Sequence, residues 1–148
     1  MKHQVVIAKF NSDEHAQAKE LRSEVLRKPL GLPADDPAFN DVDTDVQFVA
    51  LDNGCVVGVV VLVPDYKPNT GKLRQMATAE KVRGKGFGVS LVKSLEEYAR
   101  NEGIHRITLH SRHYAVRFYE KLGYDVVSDV FQEVGMDHYV MEKDLQST

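Results

Sequence analysis

Hydrophobic residues recur with two different periods along the chain. In three segments apolar side chains repeat every three to four positions, which predicts amphipathic helices. These stripes comprise Ala18, Leu21, Val25 and Leu26, then Val89, Val92, Leu95 and Ala99, and finally Ala115, Phe118, Tyr119 and Leu122. Pro29 follows the first stripe, Gly103 the second and Gly123 the third, and each is typical of a helix end.

Shorter runs rich in β-branched residues predict strands. They cover Val5–Ile7, Val46–Leu51, Cys55–Val63, Lys72–Thr78, His105–His110, Tyr124–Val130 and Met136–Glu142. The turn Asp52-Asn53-Gly54 is a hairpin signal, because Asn-Gly readily takes the positive φ of a tight turn. We expect a turn-rich connection over Pro64–Gly71 and a long polar loop over Lys28–Asp45 that contains at most one short helical turn. The order of elements predicts one α/β (α+β) domain, residues 1–148, with a mixed sheet flanked by helices.

Composition narrows the class of protein. The chain has 148 residues, 43% of them hydrophobic, which suits one domain with its own core. A formal net charge of -3 gives no basic field for nucleic acid, so we expect no nucleic-acid partner. The single cysteine, Cys55, fits a reducing compartment, and we expect it to be buried in its strand. Because Val56–Val63 is too short to span a membrane and the N-terminus lacks a signal-peptide pattern, we predict a soluble cytoplasmic protein without membrane partners.

The segment VRGKGFG, Val82–Gly88, carries glycine at alternate positions with Arg83 and Lys85 between them. It lies between a predicted strand and a predicted helix, where free N–H groups and a positive dipole end favour an anion. The segment is therefore predicted to hold a phosphate. A dinucleotide fingerprint fails, because Val89 and Leu91 occupy the positions that require glycine, and no P-loop pattern is present. The pattern R-x-x-G-x-G does fit.

Aspartates are concentrated in the predicted loop before the second strand. They are Asp35, Asp36, Asp41, Asp43 and Asp45. The DVDTD segment resembles the start of a calcium loop, but Val46 stands where glycine is required and no glutamate closes the loop. We expect no metal there. The interpretation we favour is a solvated loop, and the alternative is that its charge attracts a cationic amine.

A second motif lies one helix and one strand after the glycine run. The segment AVRFYEKLGY, Ala115–Tyr124, together with R-x-x-G-x-G, resembles the GNAT superfamily of acetyl-CoA-dependent N-acetyltransferases. The ending FQEVGMDHYVMEK, Phe131–Lys143, and the early LRSEVLRKPLG, Leu21–Gly31, are similar to the ElaA-like branch. The resemblance implies a single-domain, mostly antiparallel sheet of about seven strands. It also implies acetyl-CoA as co-substrate, with no metal.

The resemblance assigns roles to individual residues. The diphosphate of coenzyme A would be bound by Arg83, Gly84, Lys85, Gly86, Phe87, Gly88 and Val89. The strand end Met76, Ala77 and Thr78 would pair with the pantetheine arm, and one of its N–H groups would stabilise the thioester oxyanion. Tyr119 would protonate the departing thiolate.

The motifs do not identify the general base. Candidates are His110 and His138, whose residue type titrates near neutral pH, and a water chain without a dedicated base is the alternative. Relatives often carry asparagine at the position of His110 or of Arg112, so this chain departs from the family pattern there.

The resemblance implies direct transfer of an acetyl group to a primary amine in a ternary complex. The acceptor classes left open are a small polyamine, an amino acid, an antibiotic and a protein terminus. The alternative function is a non-catalytic acyl-CoA-binding sensor on the same fold. Since the final strands of such folds often form interfaces, a homodimer is also expected.

Overall fold

The computed structural model describes residues 3–32 and 41–145. The strands are β1 (His3–Ala8), β2 (Val46–Asp52), β3 (Cys55–Lys67), β4 (Thr70–Thr78), β5 (Arg106–Arg112), β6 (Asp125–Val126), β7 (Phe131–Glu133) and β8 (Met136–Asp144). The helices are α1 (Asp13–Arg22), α2 (Phe87–Asn101) and α3 (Val116–Lys121). A π-helical turn, Ser23–Arg27, continues α1, and 3-10 turns cover Lys28–Leu30, Glu80–Val82 and His113–Ala115.

The strands form one eight-stranded sheet in the order β1-β2-β3-β4-β5-β8-β6, with β7 also paired to β8. Among the described residues β4 and β5 are the parallel pair, and the remaining pairs are antiparallel. This confirms the predicted mixed, mostly antiparallel sheet flanked by helices. The prediction of about seven strands omitted β7, which has only three residues.

Helices cover both faces of the sheet. One core packs against α2 and α3 and contains Phe48, Leu62, Leu91, Leu95 and Tyr119. The other packs against α1 and contains Ala18, Val49, Val59, Val61 and Ala77. Because the central strands are covered on both sides, Val59–Leu62 is buried at every position, which explains the unbroken apolar run in the sequence.

The predicted connection over Pro64–Gly71 is wrong. β3 continues through Pro64 to Lys67, and a two-residue turn leads directly into Thr70. Pro64 is tolerated because the β3–β4 pairing is irregular between Val63 and Lys67, where a ladder hydrogen bond is not required. Asn69 takes the positive φ of the turn, at 57°.

Two further sequence expectations differ from the structure near the termini. The first helix does not end at Pro29, because a π-helical turn and a 3-10 turn carry the chain on to Leu30, with Gly31 at φ 68°. The predicted strand Tyr124–Val130 contracts to the two residues of β6, and its valines at positions 127 and 130 are half exposed. An apolar run without a face to bury does not extend the ladder.

Cys55 is exposed at the start of β3, so the expectation that it is buried is wrong. The turn at Asn53 and Gly54 places this strand end outside both cores. Across residues 3–32 and 41–145, no helix has the length and apolar character needed to cross a membrane.

Candidate active site

The C-terminal halves of β4 and β5 diverge and open a cleft in the sheet. The two strands pair at only four positions, from Thr70 with Arg106 to Leu73 with Leu109. Beyond Leu73 the edge of β4 that faces β5 has no strand partner in the described part of the chain. The cleft has a volume of about 970 Å³, and β4, β5, the π-helical turn, α3 and the β7–β8 hairpin contribute to its walls.

A bulge in β4 marks the point where the cleft opens. Gln75 has a φ of 58°, and the pairing with β3 shifts between Arg74 and Ala77. A bulge of this kind bends its strand and re-aims the residues that follow. Met76, Ala77 and Thr78 come directly after it and line the cleft. The structure therefore places all three predicted residues at the open edge of β4.

The glycine segment forms a tight connection between a 3-10 turn and α2. Gly84 and Gly86 have φ values of 82° and 86°, and a Cβ at either position would meet no atom within 4 Å. The first intrahelical hydrogen bond of α2 runs from Ser90 N–H to Gly86 C=O, at 3.1 Å. The N–H groups of Gly88 and Val89 come before this bond and therefore have no acceptor inside the helix. Positive φ, open space and these two donors fit a bound diphosphate.

The two ends of this segment are anchored differently. Phe87 is buried in the core, with 1% of its surface exposed, and so fixes the first turn of α2. Val89, two positions later, is half-buried. Arg83 and Lys85 are exposed, and Arg83 donates a hydrogen bond to the carbonyl of Thr78 at 3.4 Å. That contact ties the glycine segment to the open end of β4.

Gly88 joins the glycine segment to the second motif. A Cβ at Gly88 would lie 3.2 Å from the Phe118 ring, so α2 and α3 approach closely only because this residue is glycine. Tyr119 is the next residue on α3, and its ring centroid lies 5.0 Å from that of Phe118. The two motifs are thus in direct contact in the fold.

Tyr119 lines the cleft and is 5% exposed. Its ring packs edge-on against Tyr124, with centroids 5.7 Å apart, which fixes its orientation. Burial raises the pKa of the Tyr119 phenol above its usual value, because the phenolate is poorly solvated there. The phenol therefore keeps its proton at neutral pH and remains a donor.

His110 and His138 meet at one carboxylate. Nδ1 of His110 lies 2.9 Å from Oε1 of Glu133, and Nε2 of His138 lies 3.7 Å from Oε2 of the same group. Nδ1 of His138 contacts the carbonyl of Met136 at 3.0 Å, and the Phe131 ring packs against both imidazoles. His110 is 27% exposed and His138 only 3%, so His110 is the more accessible of the two to a ligand.

Sequence reasoning assigned no role to Glu133. The residue lies within the quoted ending, but its distance of 23 positions from His110 hides their contact until β5, β8 and β7 are placed side by side. The signal available in the sequence was Gly135 between two strand-forming segments, since Val134-Gly135 forms a two-residue turn between Glu133 and Met136. Val134 has a φ of 47°, which is rare for a β-branched residue.

The opposite wall of the cleft comes from the end of the first helix. Val25 and Leu26 of the π-helical turn line the cleft. The guanidinium of Arg112 donates to the carbonyl of Leu26 at 2.9 Å and to the hydroxyl of Tyr114 at 3.2 Å. Arg112 therefore joins the end of β5 to this wall, a role that its departure from the family pattern did not reveal.

The aspartate-rich segment is only partly described. Asp35 and Asp36 lie outside the described residues, whereas Asp41 and Asp45 are not solvated, contrary to the favoured interpretation. The Asp41 carboxylate is 1% exposed and contacts Arg22 and His15, the latter at 2.7 Å. Although burial opposes it, the hydrogen bonds from Arg22 and His15 lower the pKa of Asp41 to about 2.

Metal ligands are not grouped in the residues that the structure covers. No set of three or more His, Cys, Asp or Glu side chains in residues 3–32 and 41–145 is placed to hold a metal ion. The His110–Glu133–His138 group lies at hydrogen-bond and ion-pair distances instead.

Comparison with known proteins agrees with these features. A model of the acetyltransferase (GNAT) family matches residues 15–124. The uncharacterized N-acetyltransferase YjcF of Bacillus subtilis is 31% identical over 140 residues, covering 94% of this chain and 98% of that protein. The chain belongs to the GNAT family, and the shared family and its relatives identify it as an N-acetyltransferase.

Solved structures share the fold over nearly the whole chain. A Lactobacillus plantarum protein assigned as an N-acetyltransferase has 26% identity and a TM-score of 0.86, covering 99% of this chain and 100% of that one. Escherichia coli ElaA has 19% identity and a TM-score of 0.77, covering 96% and 98%. An aminoglycoside 6'-N-acetyltransferase complexed with coenzyme A has 19% identity and a TM-score of 0.76, covering 97% and 98%. The similarity to ElaA shows a shared fold, and membership of its branch stays a prediction.

Proposed function

We propose that this protein transfers an acetyl group from acetyl-CoA to a primary amine by direct attack in a ternary complex. The observation that carries the proposal is the convergence of three features on one cleft. These are the open edge of β4 after Gln75, the N–H groups of Gly88 and Val89 that have no acceptor inside α2, and the buried phenol of Tyr119. The structural neighbour crystallised with coenzyme A supports the choice of donor.

The residues divide the chemistry between them. The amine nitrogen forms a bond to the thioester carbon, the oxygen gains negative charge, and an N–H group at Met76–Thr78 stabilises it. The carbon–sulfur bond then breaks, the sulfur leaves with the electron pair, and Tyr119 donates its proton to that sulfur. A thiolate that leaves beside the buried phenol is also poorly solvated, so its proton affinity rises together with that of the phenol.

The amine also has to lose a proton. His110 accepts it in our proposal, either directly or through a water, because it lines the cleft and is oriented by Glu133 at 2.9 Å. His138 is nearly buried and acts through the shared carboxylate rather than on the acceptor. Both proton transfers balance when Tyr119 and His110 exchange protons with solvent after the products leave.

The experiment that tests this function measures coenzyme A release in a panel of primary amines. Tyr119→Phe should lower kcat by about a hundredfold or more, as expected for loss of a general acid. Its acetyl-CoA dissociation constant should stay within twofold of that of the wild type. Tyr139→Phe, a tyrosine outside the cleft, is the matched control and should retain full activity.

Two results would contradict the proposal. Equal turnover of Tyr119→Phe and the wild type removes Tyr119 from the mechanism. If acetyl-CoA binds but coenzyme A is released with none of the amines tested, the non-catalytic sensor is favoured. We also propose a cytoplasmic location, which the exposed thiol of Cys55 supports because a reducing compartment protects it.

A further inference from the structure

The acceptor end of the cleft contains more cations than carboxylates. On the far side from the glycine segment, the described lining includes Lys72 and Arg74 as cations and Glu133 as the carboxylate. Arg83 also lines the cleft, but it lies at the glycine segment, where a diphosphate accounts for it. The acceptor end is therefore positively charged, although the whole chain carries a net charge of -3.

Both cations are partly buried rather than extended into solvent. The ammonium of Lys72 lies 5.0 Å from the centroid of the Tyr66 ring. Within residues 3–32 and 41–145 no carboxylate forms an ion pair with Arg74. Partly buried cations without a matching number of anions are a costly arrangement for a protein to keep.

Lys72 shows this cost directly. Burial lowers the pKa of its ammonium, the carboxylate of Glu133 raises it, and the charge of Arg74 lowers it further. An anion bound between Lys72 and Arg74 would stabilise both charges. A polyamine would instead bring further positive charge to the same place.

The single carboxylate has a different partner. Glu133 contacts His110, the residue that faces the reacting amine in the proposed function, and His138 behind it. Glu133 also interacts electrostatically with Lys72, so the histidine side and the cationic side of the cleft adjoin. A ligand that reaches both sides places its amine beside His110 and its anion beside Lys72.

We propose that the acceptor is a small amine with a carboxylate or phosphate beside its amino group, which Lys72 and Arg74 bind while the amine faces His110 and Glu133. This inference rests on the proposed function and names its acceptor class. Of the acceptor classes considered from the sequence, it selects amino acids and related amphoteric amines over polyamines and polycationic antibiotics.

The test compares acceptors that differ only in the anion. The twenty amino acids are paired with their carboxamides, and O-phosphoethanolamine is paired with ethanolamine, while putrescine and spermidine form a polycation arm. Released coenzyme A is measured with a thiol reagent. At least one anionic member should exceed its neutral partner by tenfold or more in kcat/KM, and the pair in which this occurs distinguishes a carboxylate from a phosphate.

Variants then identify the residues responsible. Arg74→Gln and Lys72→Gln should each raise the KM of the preferred anionic acceptor about tenfold or more and change the KM of its neutral partner less than twofold. Arg74→Lys should restore part of the loss. Lys93→Gln, at an exposed position on α2, is the control for a lost positive charge and should resemble the wild type.

Several outcomes overturn the inference. This acceptor class is excluded if neutral or polycationic amines equal the anionic ones in kcat/KM. It is also excluded if the KM of both members of a pair rises equally in Lys72→Gln or Arg74→Gln. Binding of acetyl-CoA without turnover of any member of any pair also contradicts it. A parallel titration with acetyl-CoA separates this failure from that of the proposed function, because absence of acetyl-CoA binding refutes the donor as well.

Discussion

Replacing Asp41 by asparagine tests the buried ion cluster that fixes the segment before β2 to α1. The Asp41 carboxylate and the side chains of Arg22 and His15 are each at most 2% exposed. Arg22 is the last residue of α1 and directly precedes the π-helical turn that supplies one wall of the cleft. Asp41→Asn keeps the shape of the side chain but leaves the guanidinium of Arg22 without its buried counter-charge.

The expected loss follows from two estimates. Removing one partner of a buried ion pair costs about 3–5 kcal/mol of unfolding free energy. Independently, the fall in the pKa of Asp41 from 3.8 to about 2 corresponds to roughly 2–3 kcal/mol of stabilisation by its neighbours. With a urea m-value of about 2 kcal/mol/M, the unfolding midpoint should fall by roughly 1–2.5 M.

Equilibrium urea unfolding, followed by circular dichroism, measures this loss. Asp43→Asn is the matched control, because Asp43 lies two positions away and is exposed. Since the folded-state pKa of Asp41 is lowered, its contribution is complete above pH 3.8 and disappears as the pH falls through about 2. The difference between wild type and Asp41→Asn should therefore narrow over that range. A midpoint shift no larger than that of Asp43→Asn, or a difference that stays constant down to pH 2, would refute the reasoning.

Two further predictions concern strain and a buried carboxylate. Val134→Asn should raise the unfolding free energy by about 1 kcal/mol, because asparagine tolerates a φ of 47° better than valine, and it should alter the KM of the acceptor. The converse change at the same kind of turn, Asn53→Val, should destabilise, and stability falling in both variants would contradict the strain. Glu96→Gln should lower stability by about 1.5–3 kcal/mol, because buried Glu96 accepts hydrogen bonds from Tyr124 at 2.8 Å and Lys143 at 3.0 Å. Urea titrations measure both, and an equal loss in the exposed neighbour Glu97→Gln would exclude the network.

The parts of the site that sequence predicted are those encoded within one turn of chain. The glycines at 84 and 86 have positive φ, so each has a local reason that is visible as a motif, whereas Gly88 permits a close contact with Phe118 on another helix. Tyr119 lies in the second motif and reaches the same cleft. Within each motif neighbouring residues determine the backbone geometry, and the spacing of residues in the sequence therefore predicts the chemistry.

The parts that sequence missed depend on pairing between distant segments. Glu133 reaches His110 only because β8 lies between β5 and β7, and Asp41 reaches Arg22 across 19 positions. Periodicity carries no information on such contacts. Similarly, Lys72 and Arg74 alternate along β4 as ordinary surface residues would, and only the folded structure shows that both line the cleft.

Titration of the protein with acetyl-CoA by calorimetry tests the central claim most directly. The wild type should bind, and Gly86→Ala should bind at least tenfold more weakly, because a Cβ at φ 86° strains the segment that holds the diphosphate. Gly103→Ala is the matched control, since Gly103 has a φ of 78° in equally open space but lies at the other end of α2. It should bear a similar strain and bind acetyl-CoA like the wild type. We predict heat of binding, with similar affinities for the wild type and Gly103→Ala and a weaker one for Gly86→Ala. No heat with the folded wild-type protein would contradict the account.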